Sequence, residues 1–137
     1  MKEKAIDLLR KNNLRVTPVR KEMLSIFLES DNALSNHDIE EKMADVDRVT
    51  LYRTLKSFQE KGIIHKAYDG TDVSKYASCS DQCDAHAHHD EHLHFHCSNC
   101  DNTFCVDEIP IPKLEMPSGF KAHKTNIVVD GVCERCS

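Results

Sequence analysis

Helical apolar periodicity across residues 3–61, an Asp-Gly hairpin signal after it, and a remainder crowded with cysteine and histidine predict a two-domain α/β chain. The reading places an N-terminal winged helix-turn-helix at 1–78, a histidine-rich hinge at 79–91 and a small C-terminal α/β dimerisation domain at 92–137. A length of 137 residues suits one ordinary domain or two small ones. A domain that small is marginal without a metal or a partner subunit.

The elements follow in order. Residues 3–11 carry Ile6, Leu8 and Leu9 at near-helical spacing and stop before Asn12-Asn13. Thr17 caps the next helix and Pro18 suits its first position, where a missing N–H costs nothing. That helix, roughly 18–29, sets Val19, Met23, Ile26 and Phe27 on one stripe. Ser35-Asn36-His37-Asp38 resembles a capping box and starts a short helix with Ile39 and Met43 inward. Asp47 opens a longer helix whose Leu51, Leu55 and Phe58 face the core, and Gly62 ends it. A short helix, a tight connection and a longer capped helix form a helix-turn-helix. Residues 63–68, then Asp69-Gly70, then a run reaching Lys75-Tyr76-Ala77 supply the hairpin wing.

On the outward side of helix 47–61, Arg48, Thr50, Tyr52, Arg53 and Lys56 form a candidate reading surface for double-stranded DNA. Arg53 suits a guanine edge and Tyr52 a phosphate or thymine methyl. Arg15, Arg20 and Lys21, with Lys66 or Lys75 on the wing, would hold the phosphate backbone. The bland alternative is a set of ordinary solvated charges, and the helix-turn-helix placement favours DNA. Charge agrees: residues 1–75 hold fourteen Lys/Arg against thirteen Asp/Glu, whereas 76–137 hold four against ten. The acidic second half is a poor nucleic-acid binder.

Cys97-x-x-Cys100 and Cys133-x-x-Cys136 are two knuckles, separated by residues 101–132. Four thiolates are a common closed set for structural Zn²⁺, with an iron–sulfur cluster as rival. The N-terminus has no apolar signal-peptide core, which places the protein in the cytoplasm, where paired thiols are more often ligands than disulfides. No apolar run reaches the length of a membrane span. Between the knuckles, 103–106 reads as a strand, the prolines leave room for at most one short helical turn around Lys113–Met116, and 120–129 reads as strand-rich. So small a core predicts strands packed across a homodimer interface.

His92, His94 and His96 alternate, and so share a strand face. A regulatory site of His65, Cys79, His92 and His94 would bridge the two domains and fix the spacing of two reading helices. Mixed nitrogen and sulfur donors favour Zn²⁺ over Fe²⁺ or Mn²⁺. Further candidate ligands are Cys83, His86, His88, His89, His96, Cys105, Glu108 and His123. Cys105 would complete a site with His92 and His94 or serve as a small buried hydrophobe. His86, His88 and His89 form a cation-capturing loop or a solvated one, and His37 reads as a surface helix residue.

The pieces L-R-V-T-P-V-R (14–20), D-R-V-T-L-Y-R-T-L (47–55), E-K-G-I-I (60–64), H-L-H-F-H-C-S-N-C (92–100) and G-V-C-E-R-C (131–136) resemble the ferric uptake regulator family of bacterial metal-dependent repressors. The resemblance covers nearly the whole chain. It implies a homodimer whose winged helices bind an AT-rich palindrome, with Tyr52 and Arg53 as the reading pair and the four knuckle cysteines as structural zinc ligands. Its sensing ligands look closest to the zinc uptake regulator branch: Cys79, His92 and His94 match, His65 stands at that branch's aspartate, and Cys105 replaces a family glutamate. The family's secondary-site histidines fall at Glu91, Leu93 and Thr125, and its longer helix before Gly119-Phe120 is shortened.

The expected function is therefore a zinc-responsive repressor of metal-uptake genes. An iron-, manganese- or peroxide-responsive regulator of the same family is the alternative. A metalloenzyme would need an open metal position and a nearby base, and no H-E-x-x-H helix is present. A zinc storage protein would leave Tyr52 and Arg53 unexplained. Metal-dependent, sequence-specific binding to duplex DNA separates the repressor from both.

Overall fold

A computed structural model describes residues 2–78, 93–106, 109–123 and 125–137. Helices α1 (Lys2–Lys11), α2 (Pro18–Glu29), α3 (Asn36–Lys42) and α4 (Arg48–Glu60) begin where local chemistry directs. Thr17 Oγ1 accepts from the Arg20 backbone N–H, with Pro18 in the first turn. Ser35 and Asp38 exchange both bonds of a capping box, at 3.1 and 3.0 Å. The Asp47 carboxylate takes the Thr50 N–H at 3.1 Å. Each cap satisfies an amide that the first helical turn leaves without a partner.

The helical stripes meet in one core of Ala5, Leu9, Met23, Leu24, Phe27, Ile39, Leu51, Leu55, Phe58 and Ile64, all nearly or wholly removed from water. Val19 and Ile26, expected on the inward stripe of α2, lie only part-buried at its edge. The hairpin forms as β2 (Ile64–Ala67) and β3 (Lys75–Ser78), antiparallel, with Gly70 at φ 80 in the connection. A two-residue strand β1 (Leu34–Ser35), too short to carry a periodicity, adds to β3. The result is the winged helix-turn-helix, with sheet order β1-β3-β2.

The second sheet has order β5-β4-β6, from β4 (Leu93–Cys97), β5 (Thr103–Val106) and β6 (Ile127–Gly131). β4 runs antiparallel to β5 and parallel to β6. One expectation needs correction: among the described residues of 120–129 only the apolar end at 127–129 is strand. Lys113–Met116, with room for at most one helical turn, forms none. Pro110, Pro112 and Pro117 remove the backbone donors and dihedral freedom that a helix there would need.

The described part of this half has almost no apolar core of its own. Its buried apolar side chains are Cys97 and Cys133, while Ile109, Leu114, Met116, Phe120 and Val132 are exposed. Cohesion comes instead from the thiols and from polar contacts to the first half. The Ala33 N–H donates to the Thr103 carbonyl at 2.7 Å, and Arg135 pairs with Asp31 at 2.5 Å. The Asp69 carboxylate, 1% exposed, accepts from Lys75 Nζ at 3.0 Å and from Thr103 Oγ1 at 2.8 Å. Lys75 also donates to Thr103 Oγ1 and to the Asp101 carbonyl. Lys75 is thus buried in an ion pair, not displayed on the wing for a phosphate as its sequence position suggested.

Candidate metal centres and nucleic-acid interface

Each knuckle is a local product of its spacing, because two cysteines three apart on a tight turn bring both sulfurs to one side. Antiparallel β4–β5 turns through Cys97–Cys100, while parallel β4–β6 pairs Cys97 with Gly131 and so delivers Cys133. The four sulfurs of Cys97, Cys100, Cys133 and Cys136 lie within 4.8 Å of one another, with Cys100 and Cys133 3.8 Å apart. A metal–thiolate bond of about 2.3 Å gives a tetrahedron with an edge of about 3.8 Å. One ion fits that cage. An iron–sulfur cluster does not, since its inorganic sulfides would hold the thiolates farther apart.

The backbone N–H groups of Cys100 and Cys133 aim at Cys97 Sγ, at 3.5 and 3.4 Å. These bonds, that from Cys100 first, bring the Cys97 thiol down to about 6. Cys100 is bonded by the Asn102 N–H, which lowers its pKa, but burial and the neighbouring thiols prevail and raise it to about 11. A cation among the four sulfurs would relieve that mutual repulsion.

A second cluster joins the two sheets. His65 on β2, His94 on β4 and Cys105 on β5 place their ligand atoms within 4.8 Å of one another. His94 and Cys105 are direct cross-strand partners, so their side chains share one face. Cys105 Sγ lies 4.0 Å from His65 Nε2, and both histidines are buried. Of the expected regulatory set, His65 and His94 are together, and Cys105 takes the place beside them. Cys79 and His92 lie outside the described residues, as do Cys83, His86, His88, His89 and Glu108.

His96 goes elsewhere. It faces Asp130 across β4–β6, its Nδ1 lies 3.0 Å from that carboxylate, and its Nε2 lies 2.8 Å from Asp101. Burial works to lower its pKa, but Asp130 and then Asp101 outweigh burial and raise it. With both ring nitrogens so engaged, His96 supports the knuckle turn instead of offering a ligand atom. His123 is exposed, and among the described residues it joins no metal-capable group. Sequence reasoning passed over Asp101 and Asp130, and only the positive φ of Asp101 at the knuckle marks it as special.

The candidate DNA face draws on α4 and the start of α2. Arg48, Tyr52, Arg53 and Lys56 are exposed along α4 while Leu51, Leu55 and Phe58 anchor its other side. Arg15, Thr17, Arg20, Thr50 and Arg53 line one cleft of about 480 Å³ between the start of α2 and α4. Arg20 Nη1 donates to the Arg15 carbonyl at 2.9 Å, which ties two of the cations together. A winged helix with a basic notch beside its second helix, together with a four-thiol cluster and a histidine–cysteine cluster, defines a metal-dependent DNA-binding transcriptional regulator.

Residues 11–130 match the ferric uptake regulator family, and the chain belongs to that family of transcriptional regulators, which are not enzymes. It is 36% identical over 138 aligned positions to a ferric uptake regulation protein of Staphylococcus aureus, covering 96% of this chain and 95% of that one. The Staphylococcus epidermidis counterpart is 35% identical, with 96% and 94% covered. Among solved structures, a zinc uptake regulator complexed with zinc and DNA superposes with a TM-score of 0.63 at 25% identity, covering 98% of this chain and 91% of that one. The Helicobacter pylori ferric uptake regulator shares the fold, with a TM-score of 0.57 at 18% identity over 99% and 93% of the two chains. None of the described helices is long and apolar enough to cross a membrane.

Proposed function

We propose that this protein is a metal-responsive repressor of metal-uptake genes that binds an AT-rich palindrome as a homodimer. One observation carries the reading: His65, His94 and Cys105 converge from the wing and from the second sheet. A cation held there ties β2 to β4 and β5, and so fixes the winged helix relative to the rest of the chain. In a dimer that orientation sets the distance between two reading helices, which must match one turn of DNA. Cys79 and His92 complete the donor set in this reading. Cys97, Cys100, Cys133 and Cys136 hold a permanent structural Zn²⁺. Arg48, Thr50, Tyr52, Arg53 and Lys56 read bases and nearby phosphates, and Arg15 and Arg20 grip the backbone. Exposed Ile109, Leu114, Met116 and Phe120 supply apolar surface for the partner subunit.

The sensed metal has two readings, each with its own support. The staphylococcal relatives carry the name ferric uptake regulation protein, which supports Fe²⁺. The thiolate of Cys105 beside two imidazoles supports Zn²⁺, because sulfur donors favour it over Fe²⁺ or Mn²⁺. Titrating Fe²⁺ (without oxygen), Mn²⁺ and Zn²⁺ against protein whose knuckles are already filled, with DNA affinity as readout, decides between them. His94→Ala and Cys105→Ala should each abolish the response while leaving the fold intact. Equal affinity with and without the second ion would overturn the mechanism.

A further inference from the structure

The reading face contains an anion that a phosphate-binding surface would not be expected to carry. Glu40, on α3, has a side chain only 24% exposed and places Oε1 between two reading residues of α4. Tyr52 donates its hydroxyl to that oxygen at 2.5 Å, and Arg48 Nε lies 4.0 Å from the same atom. The bond also raises the pKa of the Tyr52 phenol above its ordinary value. Neither contact is dictated by helix spacing, since α3 and α4 are separate elements.

We propose that Glu40 is the specificity-determining residue of this surface: it holds Tyr52 and Arg48 in the reading pose and suppresses binding to DNA of arbitrary sequence. The inference rests on the DNA-reading role of α4 proposed above. Its physical basis is twofold. A tyrosine hydroxyl engaged by a carboxylate is not free to donate to a phosphate, so the ring is left to meet base edges. That bond also fixes the Tyr52 side chain before the DNA arrives, which lowers the ordering cost of docking. Arg48, drawn toward Glu40, is a weaker phosphate ligand than a free guanidinium, and the carboxylate itself repels the backbone. Both effects fall on sequence-independent affinity, which is phosphate-driven. Discrimination between sequences is therefore where Glu40 acts.

The test uses the full-length, metal-loaded protein and two duplexes. One is selected by the wild-type protein from a random-sequence pool, and the other is a mixed-sequence competitor. Glu40→Ala should tighten binding to the competitor and steepen its salt dependence by about one phosphate contact. The ratio of selected to competitor affinity should fall about fivefold, the size of one net hydrogen bond. Tyr52→Phe should lower that ratio in the wild-type background but not lower it further in Glu40→Ala, where it removes only the hydroxyl freed to meet a phosphate and so weakens competitor binding. Glu40→Gln, which keeps an acceptor but removes the charge, should retain the Tyr52 effect and still show the steeper salt dependence. A purely structural Glu40 would change the melting temperature and leave the affinity ratio alone. Arg53→Ala serves as the control. If it weakens selected-duplex binding while Glu40→Ala leaves the ratio unchanged, the present inference fails and the reading face stands. If Arg53→Ala has no effect, the reading face is misassigned and both fall.

Discussion

The buried pair Asp69–Lys75 yields the sharpest stability prediction. Asp69 is 1% exposed and Lys75 10%, with 3.0 Å between Nζ and Oδ2. Besides Lys75 and Thr103, the carboxylate accepts from the Thr71 backbone N–H at 2.9 Å and its hydroxyl at 2.6 Å. Asp69→Ala deletes four interactions and strands an ammonium in a nearly dry pocket. Breaking a buried pair by removing one partner typically costs 3–5 kcal/mol. Lys75 keeps the Asp101 carbonyl and the Thr103 hydroxyl, so the low end, about 3 kcal/mol, is expected. For a chain of this size that lowers the melting temperature by about 10 °C.

The assay is thermal unfolding of metal-loaded protein, with Asp69→Ala/Lys75→Met as second variant. The double variant should recover most of the loss, since no buried charge is then left alone. A loss below about 0.5 kcal/mol in the single variant, the range of ordinary surface substitutions, would refute the reasoning. So would a double variant as unstable as the single one.

Other outcomes follow from the same contacts. Burial acts to raise the Asp69 pKa, but the Thr71, Thr103 and Lys75 hydrogen bonds overcome it and hold the carboxyl far below the usual carboxylate range. Its stabilising contribution is therefore complete above the unfolded value of about 4 and is lost as pH falls below it. Denaturant midpoints measured from pH 6 to pH 3 should drop less for Asp69→Asn than for wild type. Cys97→Ser, which removes the sulfur that accepts two backbone N–H groups, should release the structural ion and unfold the second sheet. Metal stoichiometry and far-UV circular dichroism would detect both. A Cβ added at Gly131 would sit 2.9 Å from Phe95 Cζ, so Gly131→Ala should destabilise the β4–β6 pairing by about 1 kcal/mol. Because Gly131 pairs with Cys97, the same variant should release metal faster to a chelator.

What could be read from the chain alone was what short-range chemistry dictates. The Thr17, Ser35/Asp38 and Asp47 caps each act over three residues, and each starts a helix where the sequence indicated. Apolar spacing placed Leu51, Leu55 and Phe58 inward, and two Cys-x-x-Cys turns announced the four-thiol cage. Tertiary structure decided what depends on register and packing between distant segments. Pairing β4 with β5 sets Cys105 opposite His94, and packing of the wing then adds His65 from 40 residues away. The turn residue Asp69 became the anchor of a buried ion pair, and His96, alternating with His94, was claimed by Asp101 and Asp130. Glu40 met Tyr52 only because two helices cross. A cap or a knuckle is written in neighbouring residues, whereas these contacts exist only once the sheets have chosen their registers and the helices their angles.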